Sequence, residues 1–278
     1  MSKLDKVTDN WANNASVRSW FPCFEEDPCL YDYPLSSLPE FEVDDNEGYE
    51  REKRSIATGL WIHYNWRTIQ AEEQIAVPAI SILCDFPYIR KEVKEGLLQT
   101  SVDEKFHTYC HTLAVNEAKE RYNKEIDSIP SVTVREMKEK LSGETEEWKR
   151  NIVTVAYAAV AEVSINAFLE VLSRSLEIRV CNRTLVDKHN KDEAVHSLIF
   201  IEAVRDLIRY GSDDERVFLK ESIMAAKDSF LKHDFGMYES VFSKHDLSVS
   251  FSKSSDSMSR NMKGVNRLLK TLDDEVTA

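Results

Sequence analysis

After Phe41 the chain meets only three prolines, Pro78, Pro87 and Pro130, and it carries seven glycines in its 278 residues. So few breakers over so long a stretch predict a mainly helical protein. The other four prolines, Pro22, Pro28, Pro34 and Pro39, crowd into the first forty residues. They mark an irregular N-terminal arm, taken as residues 1–54, ahead of a helical domain over 55–278. Trp11, Trp20, Phe21 and Phe24 are the arm's candidate anchors on the helical body.

An apolar content of 42% supports a buried core and sets the chain apart from disordered sequences. The net charge is −13 with no basic stripe, which argues against a nucleic-acid partner. Five cysteines without a CxxC pair indicate neither a disulfide framework nor a zinc ribbon. Cys84, Cys110 and Cys181 sit among apolar residues and read as buried thiols. The most apolar stretch, residues 152–172, is interrupted by Glu162 and Glu170, which a membrane span tolerates poorly. The N-terminus shows no apolar signal region, so the expected location is cytoplasmic, with no membrane association.

Four long helices are expected. The first covers residues 55–86, with Pro78 predicting a kink or a break in its hydrogen-bond ladder. The second runs from Ser101 to Ile126 and the third from Thr145 to Leu176. Because residues 153–172 are apolar almost all round, the third belongs at the centre of a bundle. The fourth opens at Thr184 and stops at Gly211. A charged helix over 133–141 precedes the third. Ser212-Asp213-Asp214-Glu215 has the capping-box pattern and starts another helix. A serine-rich stretch then leads to a short helix over 260–272.

Two helices carry the same pentad, D-E-x-x-H, at Asp103–His107 and Asp192–His196. Residues three and four apart share a helix face, so Glu104 with His107, and Glu193 with His196, converge in pairs. Two Glu-x-x-His motifs plus one Glu from each of two other helices form the ligand set of dinuclear four-helix bundles. On the third helix Glu162 lies within an apolar run, where an unpaired carboxylate is costly. Glu170, near the helix end, ranks after it. On the first helix Trp61, Ile69, Ala76, Ala79, Leu83 and Phe86 all fall within roughly 60° of Glu72. Glu72 is thus the inward choice, and Glu73 sits at the edge of that sector. His189 lies four before Glu193 on the same face. Spacing alone leaves open whether it is a ligand or a solvated histidine near the helix start. His111, four after His107, suits a supporting role. Asp103 and Asp192 are either helix-start acids or carboxylates that orient the ligand histidines.

At these residues the chain resembles the p-aminobenzoate N-oxygenase family. Its pattern is a glutamate, a gap of about thirty residues and D-E-x-x-H, followed later by H-x-x-x-E-x-x-H. Here Glu72, the gap 73–102 and Asp103–His107 match the first part. His189, Glu193 and His196 match the second, and Glu162 the remaining glutamate. The resemblance spans roughly residues 59–200. It implies an all-α, ferritin-like four-helix bundle core with extra helices, and it turns His189 into a seventh ligand. It also implies two Fe ions as cofactor, O2 and a small-molecule amine as substrates, and an external electron donor. The product would be a hydroxylamine, nitroso or nitro compound, and a homodimer is left open. A di-iron hydroxylase or desaturase acting on carbon is the alternative, followed by a ferritin-like metal-storage bundle.

Overall fold

The computed structural model describes residues 3–24, 27, 29–252 and 264–270. The chain is built almost wholly from helices. The arm carries α1 (Lys3–Asp9), α2 (Trp11–Asn14) and two single 3₁₀ turns before strand β1 (Phe41–Val43). The body comprises α3 (Asn46–Ala71), α4 (Val77–Asp85), α5 (Lys91–Arg121), α6 (Val132–Gly143), α7 (Glu147–Ser173), α8 (Val180–Tyr210), α9 (Asp213–Phe230) and α10 (Gly236–Ser243). Strand β2 (Val249–Phe251) pairs antiparallel with β1, Phe41 opposite Phe251. This small ribbon, like α1, α2 and α10, lies outside what the sequence led us to expect. Residues 264–270 are helical; the remainder of the helix expected at 260–272, and the serine-rich residues 253–259, lie outside the described residues.

Four layers form the bundle core: α3 continued by α4, then α5, α7 and α8. α7 is long and apolar enough to cross a membrane on composition alone. Yet 72% of its most apolar window is buried inside the protein, as a central bundle helix requires.

Two expected helix starts hold, each with a side-chain cap. Ser131 accepts from Val134 N at the head of α6. Ser212 and Glu215 form the reciprocal capping box of α9. Three starts differ. α3 begins at Asn46 rather than Ser55, because Asp45 in the acidic run caps it through Gly48 N. α5 begins ten residues before Ser101, and α8 four before Thr184. Their N-cap residues, Arg90 and Arg179, make no side-chain cap bond. Each is instead tied to a distant carboxylate: Arg90 to Asp206 and Glu202, Arg179 to Asp32 and Glu117. Tertiary ion pairs thus set these two helix heads, and no local motif announces them.

The break expected near Pro78 is present. Residues Glu72–Ala76 form one π-helical turn between α3 and α4, with Pro78 in the first turn of α4. Proline lacks an N–H and clashes with the carbonyl four residues back, so the widened turn absorbs a bond that cannot form.

The core falls into two apolar clusters at opposite ends of the bundle. One gathers Ala79 and Leu83 of α4, Val93 and Leu97 of α5, most of residues 152–160 of α7 and the apolar residues of 199–208 of α8. The other gathers Ile56–Tyr64 of α3, Cys110–Ala118 of α5, Leu169 and Leu172 of α7, and Leu185 and Val186 of α8. On all four core helices a short polar stretch separates the two clusters.

Candidate metal centre

That polar stretch forms a belt across the middle of the bundle. Glu72 comes from the π turn, Glu104 and His107 from α5, Glu162 from α7, and His189, Glu193 and His196 from α8. None of the seven is more than 5% exposed. Ser101 lies inside α5, which places Glu104 in mid-helix. Glu73 points outward to Lys105 at 2.7 Å, and Glu170 is exposed beside Arg174.

Two groups of donor atoms each lie within 4.8 Å of one another: Glu104, His107, Glu193 and His196 in one, Glu72, His107 and His189 in the other. His107 belongs to both. Glu162 belongs to neither and reaches the belt through Oε2, 3.8 Å from His196 Nδ1. Glu193 Oε1 stands 3.0 Å from His189 Nε2 and 3.2 Å from His196 Nδ1.

The electrostatics of the belt are lopsided. Four carboxylates share it, and none of the seven residues is a lysine or arginine. Burial, reinforced by Glu104, pushes Glu72 well above the usual carboxylate range. Burial also raises Glu162, with Glu193 and Glu104 adding to it. Burial opposes ionisation of Glu193 too, but His196 and His189 outweigh it and hold that carboxyl well below the usual range. His107 is carried up to about 10, because Asp192 and Glu104 outweigh the burial that disfavours its charge. Glu72 Oε1, Glu104 Oε2, Glu162 Oε2, Glu193 Oε2 and His107 Nδ1 are all buried without a hydrogen-bond partner. A cluster of orphaned carboxylate oxygens and an imidazole nitrogen is costly unless a cation occupies the space between them. Oxygen and imidazole donors together suit a first-row transition metal. The residues present therefore fit a metal-binding centre.

Each inward histidine has a polar partner beside its outer nitrogen. His107 Nε2 lies 3.3 Å from Asp192 Oδ2, and His196 Nε2 lies 3.5 Å from Asp103 Oδ2. The two pentads are thus cross-linked: the aspartate of each serves the histidine of the other. Both aspartates are buried mid-helix, which excludes the helix-start reading. His189 is held by a longer relay. Asn65 donates from Nδ2 to Trp61 O (2.7 Å), which turns its Oδ1 toward His111 Nδ1 (2.6 Å). His111 then donates from Nδ1 and accepts at Nε2, from His189 Nδ1 at 2.9 Å. The lone pair of His189 is left on Nε2, facing Glu193 Oε1. Two lone pairs 3.0 Å apart need a proton or a cation between them. Burial, with His189 and His107 as neighbours, holds His111 well below its ordinary value, which fits a neutral relay.

Asn65 escaped the sequence reading. It lies two helical turns before Glu72 and on the same face, and a polar residue at that spacing in an apolar stripe is the signal that was available. Thr108, which donates to Glu72 Oε2 at 2.9 Å, was also missed.

A cavity of about 310 Å³ opens beside the belt. Glu72, Glu104, Glu162, His189 and Glu193 line it at the belt, while Ala71, Ile75, Ala76, Ile165, Phe168 and Met237 give apolar walls. Ala76 of the π turn and Ile165 of α7 line the cavity. Val160 is buried in the first core cluster and Ile69 packs on the second.

Comparison with known proteins agrees with this geometry. Residues 46–270 match the family described as P-aminobenzoate N-oxygenase AurF. The 4-aminobenzoate N-oxygenase of Streptomyces thioluteus is 32% identical over 247 residues, covering 83% of this chain and 72% of that protein. A bundle of this architecture, a buried Glu/His belt and a match over most of the chain lead to one conclusion: the chain belongs to the p-aminobenzoate N-oxygenase family and is an O2-dependent N-oxygenase of amines.

Proposed function

We propose that the belt holds two irons and that the enzyme N-oxygenates an aromatic amine. The ligands in this reading are Glu72, Glu104, His107, Glu162, His189, Glu193 and His196. The observation that carries it is the set of orphaned, buried carboxylate oxygens, with no lysine or arginine among the seven residues. Two divalent cations would neutralise four carboxylates, and the donors fall into two overlapping groups, with His107 ligating one ion through its inward nitrogen.

Iron would supply the redox electrons for reducing O2, which none of the belt side chains supplies. The chain's own residues do the rest. Asp103, Asp192 and His111 keep the outer nitrogens of the histidines occupied, so one lone pair of each ring stays inward. Thr108 steadies Glu72 through Oε2 and leaves Oε1 free for the centre. The apolar walls exclude water from the space beside the centre. A cavity near 310 Å³ is about twice the roughly 150 Å³ that takes up benzene, room for one substituted ring. The 4-aminobenzoate in the name of the Streptomyces thioluteus relative has that size and class. Each N-hydroxylation consumes one O2, two electrons from an external donor and two protons, and releases water. Repetition takes the amine through hydroxylamine toward nitroso and nitro products.

The test is metal-depleted protein reloaded anaerobically with Fe(II), then given ¹⁸O2, a chemical reductant and a panel of arylamines. Mass spectrometry should find ¹⁸O on nitrogen. If the iron-loaded protein consumes O2 and the only labelled products carry oxygen on carbon, the proposal fails.

A further inference from the structure

The mechanism above uses Asp103 and Asp192 but not what holds them. Neither is anchored by the bundle. Trp11 donates from Nε1 to Asp103 Oδ2 at 2.8 Å, and Arg18 Nε lies 3.4 Å from Asp103 Oδ1. The backbone N–H groups of Ser16 and Val17 donate to Asp192 Oδ1 and Oδ2, at 2.6 and 3.0 Å. All four anchors come from one stretch of the arm, residues 11–18. That stretch braces itself: the Arg18 guanidinium stacks 4.0 Å over the Trp11 ring and donates to Trp11 O. Val17, fully buried, plugs the stretch into the bundle between α5 and α8.

We propose that residues 11–18 are an orienting clamp for both halves of the metal centre, Trp11 and Arg18 setting Asp103 against His196, and the Ser16 and Val17 amides setting Asp192 against His107. The inference rests on the dinuclear reading. A carboxylate fixes an imidazole's ring angle and tautomer only if its own rotation is stopped. In both cases the arm supplies the stop. The clamp is divided, so its two halves act on different histidines and can be disabled one at a time. Trp11→Phe removes the indole donor and keeps a ring under Arg18. Ser16→Pro removes one amide donor, and the backbone accepts it: Ser16 has φ −80°, and Ala15 before it is extended with ψ 113°.

The experiment is anaerobic titration of the metal-depleted full chain with Fe(II), and with Co(II) as an optical probe. Wild type should take up two ions. Trp11→Phe should weaken one of them by about 10-fold and shift its Co(II) bands, leaving the other unchanged. Ser16→Pro should weaken the other by a similar factor. In an Asp103→Ala background Trp11→Phe should have no further effect, while Ser16→Pro should keep its own. Trp20→Phe, at an arm residue that packs on the second apolar cluster and is not among the groups bonded to either aspartate, should leave both ions as in wild type. Wild type that binds two ions, together with clamp variants of wild-type affinity, overturns the clamp alone. A Trp11→Phe effect that persists without Asp103, or an equal loss in Trp20→Phe, also overturns it, since the arm would then act by general packing. Wild type that cannot take up two ions overturns the dinuclear reading and the clamp with it.

Discussion

Two clusters of buried charge lie in this bundle, and they are built on opposite principles. Around Asp32 every charge has its counter-charge. Arg121 grips both carboxylate oxygens, Thr58 donates to Oδ2, and Arg179 and Asn182 donate to Oδ1. Glu117 accepts from the same two arginines. The metal belt contains four carboxylates, no such cation, and several oxygens without a donor. Burial penalises both sites. One is closed by the protein itself, which makes it a fastener between the arm and helices α5 and α8. The other is left open, which makes it a receptor for something absent from the chain. A buried charge is therefore a pointer to function chiefly when its compensation is missing.

The contrast is open to direct attack. The largest effect should come from Glu193→Ala, which removes the carboxylate shared by His189 and His196. Metal content of the purified protein, by elemental analysis, should fall from about two ions per chain toward none. The fold should survive. Unchanged metal content would show that the belt is not the receptor.

Next comes Arg179→Met, which leaves Asp32 buried and half-compensated. Urea unfolding of the metal-free chain should show a loss of about 3–5 kcal/mol, with metal uptake retained. This cluster also carries a pH signature. Burial works against the Asp32 carboxylate, but its arginine and threonine partners prevail and hold its pKa below the ordinary 3.8. The unfolded chain then binds the proton first. The cluster's contribution is thus complete above about pH 4 and lost as the pH falls through the depressed value. Asp32→Asn should flatten that acid limb.

Asn65→Leu should act more gently, by freeing the tautomer of His111 and so of His189. Affinity for one metal ion should fall by about 10-fold. His111→Phe should cost a similar amount, and the pair together little more than either alone. Additive losses would mean that the relay is not one unit.

The smallest effect has the opposite sign. In the metal-free chain Glu162→Gln should stabilise by about 1 kcal/mol at neutral pH, because it removes an uncompensated buried acid. Glu162 is raised above 4.5, so the folded chain keeps a proton that the unfolded chain releases. Its penalty therefore grows as the pH rises above 4.5, and so should the advantage of the variant. Metal loading should reverse the order of the two proteins. A substitution that destabilises the metal-free chain at every pH would place Glu162 with the fastener, not the receptor.

Much of this was legible in the residues. Helical periodicity favoured Glu72 over Glu73, because the first lies within the apolar stripe and the second at its edge. The apolar setting of Glu162 marked it out from Glu170. The pentads announced themselves because their chemistry is local, three residues along one helix. What escaped notice depends on distance along the chain. The heads of α5 and α8 are set by Arg90 and Arg179, whose partners lie on other elements, so no cap motif marked them. The Asp32 cluster joins residues of four separate segments. Within the arm, nothing in the spacing of Trp11, Ser16 and Arg18 signals that they meet Asp103 and Asp192. Phe21, expected to help pin the arm down, is instead 66% exposed, with its ring beside Tyr109.

The bonds from Ser16 and Val17 to Asp192 span 176 and 175 residues. A chain made from its N-terminus releases the arm first, yet the arm has no partner on α8 until almost two hundred residues have followed it. Contacts of such separation carry a large closure cost and form late. The metal centre accordingly stays uncovered on this side until α8 has been made and the arm has docked on it. Until then its carboxylates and imidazoles lack that cover, and a metal ion reaches them without passing the arm.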